Sequence, residues 1–121
     1  MAGVLGAISV ILGAFGAHIL KNRMPADALE IFETAVKYQF YHVFALLVAG
    51  ILALNFPGSF ITWSGRLFIA GIILFCGSLY LLSYFKTSEN QQMNWLGAIT
   101  PFGGLCFIAG WILMAVAIMK K

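Results

Sequence analysis

The sequence predicts an all-α polytopic membrane protein, a bundle of four transmembrane helices with a short amphipathic helix between spans one and two. Of its 121 residues, 62% are hydrophobic and only 9% are charged, whereas about 25% of residues are charged in soluble domains. Four apolar stretches are each long enough to cross the hydrocarbon core, which takes about 20 helical residues. Because four crossings use almost all of the chain, residues 1–121 are expected to form a single transmembrane domain.

The first span is predicted at about residues 2–20, which carry no acidic or basic side chain. Small residues recur along it at spacings of three and four, and this places Gly6, Gly13 and Ala17 on one stripe. In lipid, where little hydrophobic force drives helices together, such a stripe lets a neighbouring backbone approach closely. We therefore expect it to be a packing surface.

A change of pattern follows at about residues 25–37, where apolar residues occupy one helical face and Asp27, Glu30 and Glu33 occupy the other. Pro25 suits the first turn of a helix, because the N–H that proline lacks has no partner there. These features predict a short amphipathic helix that lies in the interface or leans on the bundle.

Three further spans are predicted at about residues 38–56, 64–85 and 95–119. The last contains Pro101, which deprives the carbonyl of Gly97 of its helical donor, so a kink or a local unwinding is expected there. Thr100 is a candidate to satisfy that carbonyl. Gly103 and Gly104 follow and are expected to allow close packing beside the kink.

Seven basic and four acidic residues are scattered over the loops and chain ends. They form no clustered basic face of the kind that binds nucleic acid, so nucleic acid is excluded as a partner. Orientation stays open, because the two membrane faces carry three and four basic residues and the positive-inside rule needs a clear bias. The faces hold Arg66, Lys120 and Lys121 on one side and Lys21, Arg23, Lys37 and Lys86 on the other.

Polar residues are expected to gather at one membrane face. Alternating spans bring the end of the first, the start of the second, the end of the third and the start of the fourth to the same side. Ionisable residues at membrane depth are rare and tend to face the bundle interior, and histidine can also take up protons or bind metal. The predicted layer, here called the polar mouth, comprises His18, Tyr38, Gln39, His42, Tyr80 and Thr100.

Three interpretations of the polar mouth follow. The first is interhelical hydrogen bonding, which is ordinary in membrane bundles. The second is a small channel or carrier for protons or a small solute that uses His18, His42 and Gln39. The third is bis-histidine haem binding, although two histidines alone leave a metal site short of protein ligands.

No nucleophile accompanied by a base appears, so no catalytic residue is assigned, and neither a metal nor a cofactor is predicted. The sequence thus favours a non-enzymatic helical scaffold that contacts membrane lipid. It leaves open a homo-oligomer or a membrane-protein partner.

Five segments in a fixed order resemble a known family, and they cover nearly the whole chain. They are Gly13–His18, Thr34–His42, Gly77–Tyr80, Thr100–Gly104 and Gly110–Trp111. Together they resemble the domain of unknown function 423 family of small bacterial membrane proteins, which is similar to the eukaryotic transmembrane protein 256 family. The resemblance implies a four-span protein of the bacterial inner (plasma) membrane, with motif positions at His18, Gln39, His42 and Pro101, and it implies no established activity.

Overall fold

Four long helices make up the fold. A computed structural model describes residues 2–87 and 95–120; Lys121, counted above, lies outside them. The helices are Ala2–His18, Ala26–Asn55, Ser59–Thr87 and Leu96–Met119, here called the first to fourth helices. All four are long and apolar enough to cross a membrane, the first when it is taken together with the 3₁₀ turn that continues it to Asn22. The predicted fold class is confirmed.

The second helix is one continuous segment of 30 residues, Ala26–Asn55. The amphipathic stretch predicted at 25–37 is helical, but it is the first part of this helix and not a separate element, because no proline or glycine interrupts the chain at that point. Thirty residues rise about 45 Å, which exceeds the roughly 30 Å of the hydrocarbon core. His42 consequently lies about 24 Å from the start of the helix and near its middle.

The first helix runs antiparallel to the second and packs mainly against it. A Cβ atom on Gly16 would lie 2.8 Å from Cε1 of Phe32, and the Gln39 side chain reaches the Leu5 carbonyl. Only Ser9 and Gly16 of the first helix are buried. Most of this helix therefore faces outward.

A π-helical segment, Ile72–Cys76, interrupts the third helix near its middle. Gly103 of the fourth helix lies directly against it, since a Cβ atom there would be 2.7 Å from Phe75 Cα. The fourth helix itself stays helical from Leu96 to Met119 with Pro101 inside it. The irregular turn is thus found opposite the Pro101 region, in the neighbouring helix.

The hydrophobic core lies between the second, third and fourth helices. Glycines on the third and fourth helices admit aromatic rings, with Gly71 against Phe107 and Gly110 against Phe68. The core residues of these helices include Val43, Ala45, Ala49, Ile61, Phe68, Ile72, Cys76, Phe107, Met114 and Ala117. The polar side chains of the candidate site project into or border this core.

Candidate functional site

Gln39 connects three helices from a position that is only 3% exposed. Its amide nitrogen donates to the Leu5 carbonyl at 3.2 Å, and its Oε1 accepts a hydrogen bond of 2.6 Å from the Tyr80 hydroxyl. A carbonyl can only accept, so the amide nitrogen must face Leu5 and the oxygen is left for Tyr80. The first, second and third helices are joined at this one side chain.

Both ring nitrogens of His42 are engaged, and the residue is 5% exposed. Nδ1 lies 2.8 Å from the Tyr38 carbonyl oxygen, and Nε2 lies 3.2 Å from the indole nitrogen of Trp111. A carbonyl only accepts and an indole N–H only donates. The two partners therefore select the neutral imidazole with its proton on Nδ1.

Aromatic rings enclose the same imidazole. Phe107 stacks on His42 with ring centroids 3.5 Å apart and an interplanar angle of 10°. Phe107 and Trp111 are four residues apart on the fourth helix, so one face of that helix supplies both contacts. Neither residue was predicted for the site from the sequence, although their four-residue spacing and the Gly110–Trp111 segment pointed to this face of the fourth helix.

Thr100 bonds to the third helix. Its hydroxyl lies 2.6 Å from that of Ser78, which in turn lies 2.9 Å from the Phe75 carbonyl. Because each hydroxyl has one proton and Ser78 uses its own on Phe75, Thr100 donates to Ser78. The Thr100 hydroxyl also lies 3.5 Å from the Leu96 carbonyl, but its one proton goes to the much closer Ser78. The sequence suggested the Gly97 carbonyl as its partner, and the observed partner is Ser78.

Tyr38 takes part through its backbone and its ring. The backbone carbonyl accepts from His42, while the ring, which is 39% exposed, packs on Phe75 with centroids 4.8 Å apart. Tyr38 thus orients His42 through its backbone carbonyl, while its ring packs against the third helix.

The structure does not bring His18 to the other polar residues. Leu5 is level with Gln39, and the thirteen residues from Leu5 to His18 rise about 20 Å in the direction away from His42. His18 is exposed, and among the described residues no hydrogen bond, ion pair or ring contact involves its side chain. The cause is the length of the second helix, which puts His42 in mid-helix and leaves its first turns beside His18.

Bis-histidine haem binding does not fit this arrangement. Both axial imidazoles must reach one iron, whereas His18 and His42 are separated by more than 20 Å along the helix axes, by the helical rise. Both nitrogens of His42 also already have partners.

The predicted packing residues differ in how closely they are approached. Cβ atoms added to Gly6, Gly13 and Gly104 would meet side chains at 3.5, 3.5 and 3.9 Å, which are ordinary contacts, and Ala17 is exposed. Gly103 is held against backbone. The close glycine contacts that were not assigned from the sequence are Gly16, Gly71 and Gly110.

Within residues 2–87 and 95–120, every buried side-chain nitrogen or oxygen has a hydrogen-bond partner. Ser64 of the third helix is an example, because its fully buried hydroxyl donates to the Gly110 carbonyl of the fourth helix at 2.7 Å. In the same ranges no three His, Cys, Asp or Glu side chains converge in a way that could hold a metal ion.

These features define a class of protein: a small polytopic helical membrane protein whose interior polar residues bond helix to helix. A family model described as "Protein of unknown function (DUF423)" matches residues 12–104. The chain belongs to this family, as its resemblance implied.

Two similar relatives cover nearly the whole chain. UPF0382 membrane protein YwdK of Bacillus subtilis (strain 168) is 44% identical over 97% of this chain and 94% of its own length. UPF0382 membrane protein SAB0533 of Staphylococcus aureus (strain bovine RF122 / ET3-1) is 40% identical over 97% of this chain and 93% of its own length. No solved structure matches significantly.

Proposed function

We propose that this protein is a non-enzymatic helical scaffold of the bacterial plasma (inner) membrane, which acts through its outer surface on lipid or on a membrane-protein partner. The observation that carries this proposal is the use of interior polar groups. Gln39 and Tyr80 bond across three helices, and both nitrogens of His42 are engaged. A catalytic site needs a reactive group that is free to contact its substrate, whereas the polar groups of Gln39, Tyr80 and His42 already form hydrogen bonds within the bundle.

The outer surface supports the same proposal. Val4 and Ile11 of the first helix are 63% and 66% exposed, and they lie on a helix that packs mainly on the second. In a bilayer such a face contacts acyl chains or another transmembrane helix. Membrane helices associate largely through packing and hydrogen bonds. An apolar face of this kind can therefore pack against acyl chains or against another transmembrane helix.

In-membrane photocrosslinking tests the proposal. A photoreactive residue placed at Val4 or Ile11 of the full chain is expected to capture lipid or a discrete membrane protein, whereas one at the fully buried Phe68 is expected to capture only this chain. The proposal is overturned if purified protein in liposomes shows a catalytic turnover or solute flux that is lost when Gln39 or Tyr80 is replaced.

A second candidate is a carrier for protons or a small solute, and the position of His42 favours it. This imidazole is buried near the middle of the second helix, and ionisable residues at such a depth are often functional. Proton flux into liposomes should then fall on His42→Gln and stay unchanged on His18→Ala, since His18 is exposed. Equal flux in His42→Gln and the wild type would remove this candidate.

A further inference from the structure

The described charges are distributed unevenly along the bundle. The acidic residues Asp27, Glu30 and Glu33 all lie in the first turns of the second helix. At the opposite end, where the second and fourth helices finish and the third begins, the charged residues within the described ranges are Arg66 and Lys120. That end is therefore basic without acidic compensation, in a chain whose net charge is +3.

A cavity of about 480 Å³ lies at this basic end, between the turn after the second helix and the last turn of the fourth. Its size is within the range of roughly 300–1,000 Å³ that holds small ligands. Asn55 and Lys120 contribute polar side chains to its lining, while Phe60, Ile61 and Ala117 contribute apolar surface.

Lys120 is held at the cavity by a ring. Its ammonium nitrogen is 5.2 Å from the centroid of Phe60, a distance at which a cation is attracted to the aromatic face. Among the described residues, the ion pair that forms is between Lys86 and Asp27 at the other end, so no described carboxylate neutralises Lys120. The amide nitrogen of Asn55 donates to the Ile51 carbonyl, which leaves its oxygen able to accept from a ligand.

We propose that this cavity binds the headgroup of an anionic phospholipid, with Lys120 on the phosphate and Asn55 on a headgroup hydroxyl. The proposal rests on the proposed function, in which lipid is one partner of the outer surface. Charge complementarity selects an anionic lipid, since basic residues at a membrane surface attract anionic headgroups. The apolar wall beside Lys120 suits the start of an acyl chain, so an amphiphile matches both parts of the lining.

The experiment uses the purified full chain in nanodiscs that contain equimolar phosphatidylglycerol and phosphatidylcholine. Lipid retained by the protein is counted by native mass spectrometry. Wild-type protein should be enriched in phosphatidylglycerol, and Lys120→Gln should lower that enrichment about fivefold, the loss expected for one basic residue at an anionic surface.

Arg66→Gln is the matched control, because Arg66 is at the same end but stacks on Trp63 at 5.0 Å and does not line the cavity. It should leave the enrichment largely unchanged. Equal losses in the two variants would mean general surface charge and would overturn the cavity site, as would wild-type protein without enrichment. Displacement of the lipid by inorganic phosphate would assign the site to free anions and overturn the lipid.

Failure here is distinguishable from failure of the scaffold proposal. Circular dichroism of Lys120→Gln should match that of the wild type, because this exposed side chain is outside the core. Crosslinking from Val4 should also persist in Lys120→Gln. If the wild-type protein showed no headgroup selectivity but crosslinking from Val4 was retained, the cavity proposal would fail and the scaffold proposal would stand.

Discussion

The indole N–H of Trp111 donates a hydrogen bond of 3.2 Å to Nε2 of His42, although 46% of Trp111 is exposed. The fourth helix thereby reaches an otherwise buried imidazole on the second helix from the outer surface of the bundle. With the Tyr38 carbonyl on Nδ1, the ring has one acceptor and one donor as neighbours. These two groups determine which nitrogen of the His42 ring carries the proton, and this tautomer can be measured.

His42 should be found as the neutral tautomer protonated on Nδ1. The ¹⁵N chemical shifts of the imidazole distinguish the two tautomers, and the His18→Ala variant leaves His42 as the sole histidine to observe. At alkaline pH, where the ring is neutral, the Nδ1 signal should be that of a protonated nitrogen and the Nε2 signal that of an unprotonated one. A proton on Nε2 would contradict the bond from Trp111.

Trp111→Phe should destabilise the bundle by about 1 kcal/mol, because it leaves the buried Nε2 of His42 without a donor. Reversible unfolding in mixed micelles measures the change in free energy. Trp63→Phe is the control, since Trp63 is 52% exposed and its contact is the cation of Arg66. A smaller loss is expected there, and equal losses in the two variants would mean that the His42 bond contributes nothing specific.

Gly103→Ala should cost about 1–3 kcal/mol, the range for overpacked interiors. The added methyl group would lie 2.7 Å from Phe75 Cα, and backbone cannot move aside as a side chain can. Gly104→Ala is the matched control, because its methyl group would meet the Phe75 ring at 3.9 Å. It should be neutral or slightly stabilising, as alanine favours helix more than glycine does. Similar losses in both variants would contradict the close approach at Gly103.

The fold class could be predicted because it follows from composition and length alone. Four charge-poor stretches in 121 residues leave few alternatives in lipid, where each backbone group must be bonded within the protein. The end of the amphipathic stretch could not be predicted in the same way. Between Ala26 and Val48 the sequence contains neither glycine nor proline, so only tertiary packing decides whether the helix continues past Lys37.

The predicted location of the polar residues depended on where the second span begins. A helix beginning near Tyr38 places His42 at a membrane edge beside His18, whereas a helix beginning at Ala26 places His42 in its middle. Gln39, Tyr80 and Thr100 do bond between helices, because polar residues in apolar spans must find partners. Which partners they find depends on the register between helices, and no local pattern in the sequence specifies it.

Tyr80→Phe and Gln39→Leu should be coupled in a double-mutant cycle. Tyr80→Phe removes the donor to Oε1 of Gln39, and Gln39→Leu removes both the acceptor for Tyr80 and the donor to Leu5. Hydrogen bonds between membrane helices average about 0.6 kcal/mol, with values up to about 1.7 kcal/mol. The Tyr80–Gln39 distance of 2.6 Å is ordinary for an O–H···O bond, so the expected coupling is about 0.6–1.7 kcal/mol.

Ser9→Ala provides the comparison, because Ser9 donates to the same Leu5 carbonyl at 2.8 Å from within the first helix. This bond links no second helix, so Ser9→Ala should show no coupling to Tyr80→Phe. Unfolding free energies of the single and double variants in mixed micelles give both coupling energies. If the effects of Tyr80→Phe and Gln39→Leu on the unfolding free energy were additive, their bond would not hold the second and third helices together. The interpretation of these polar groups as connections between helices would then lose its principal support.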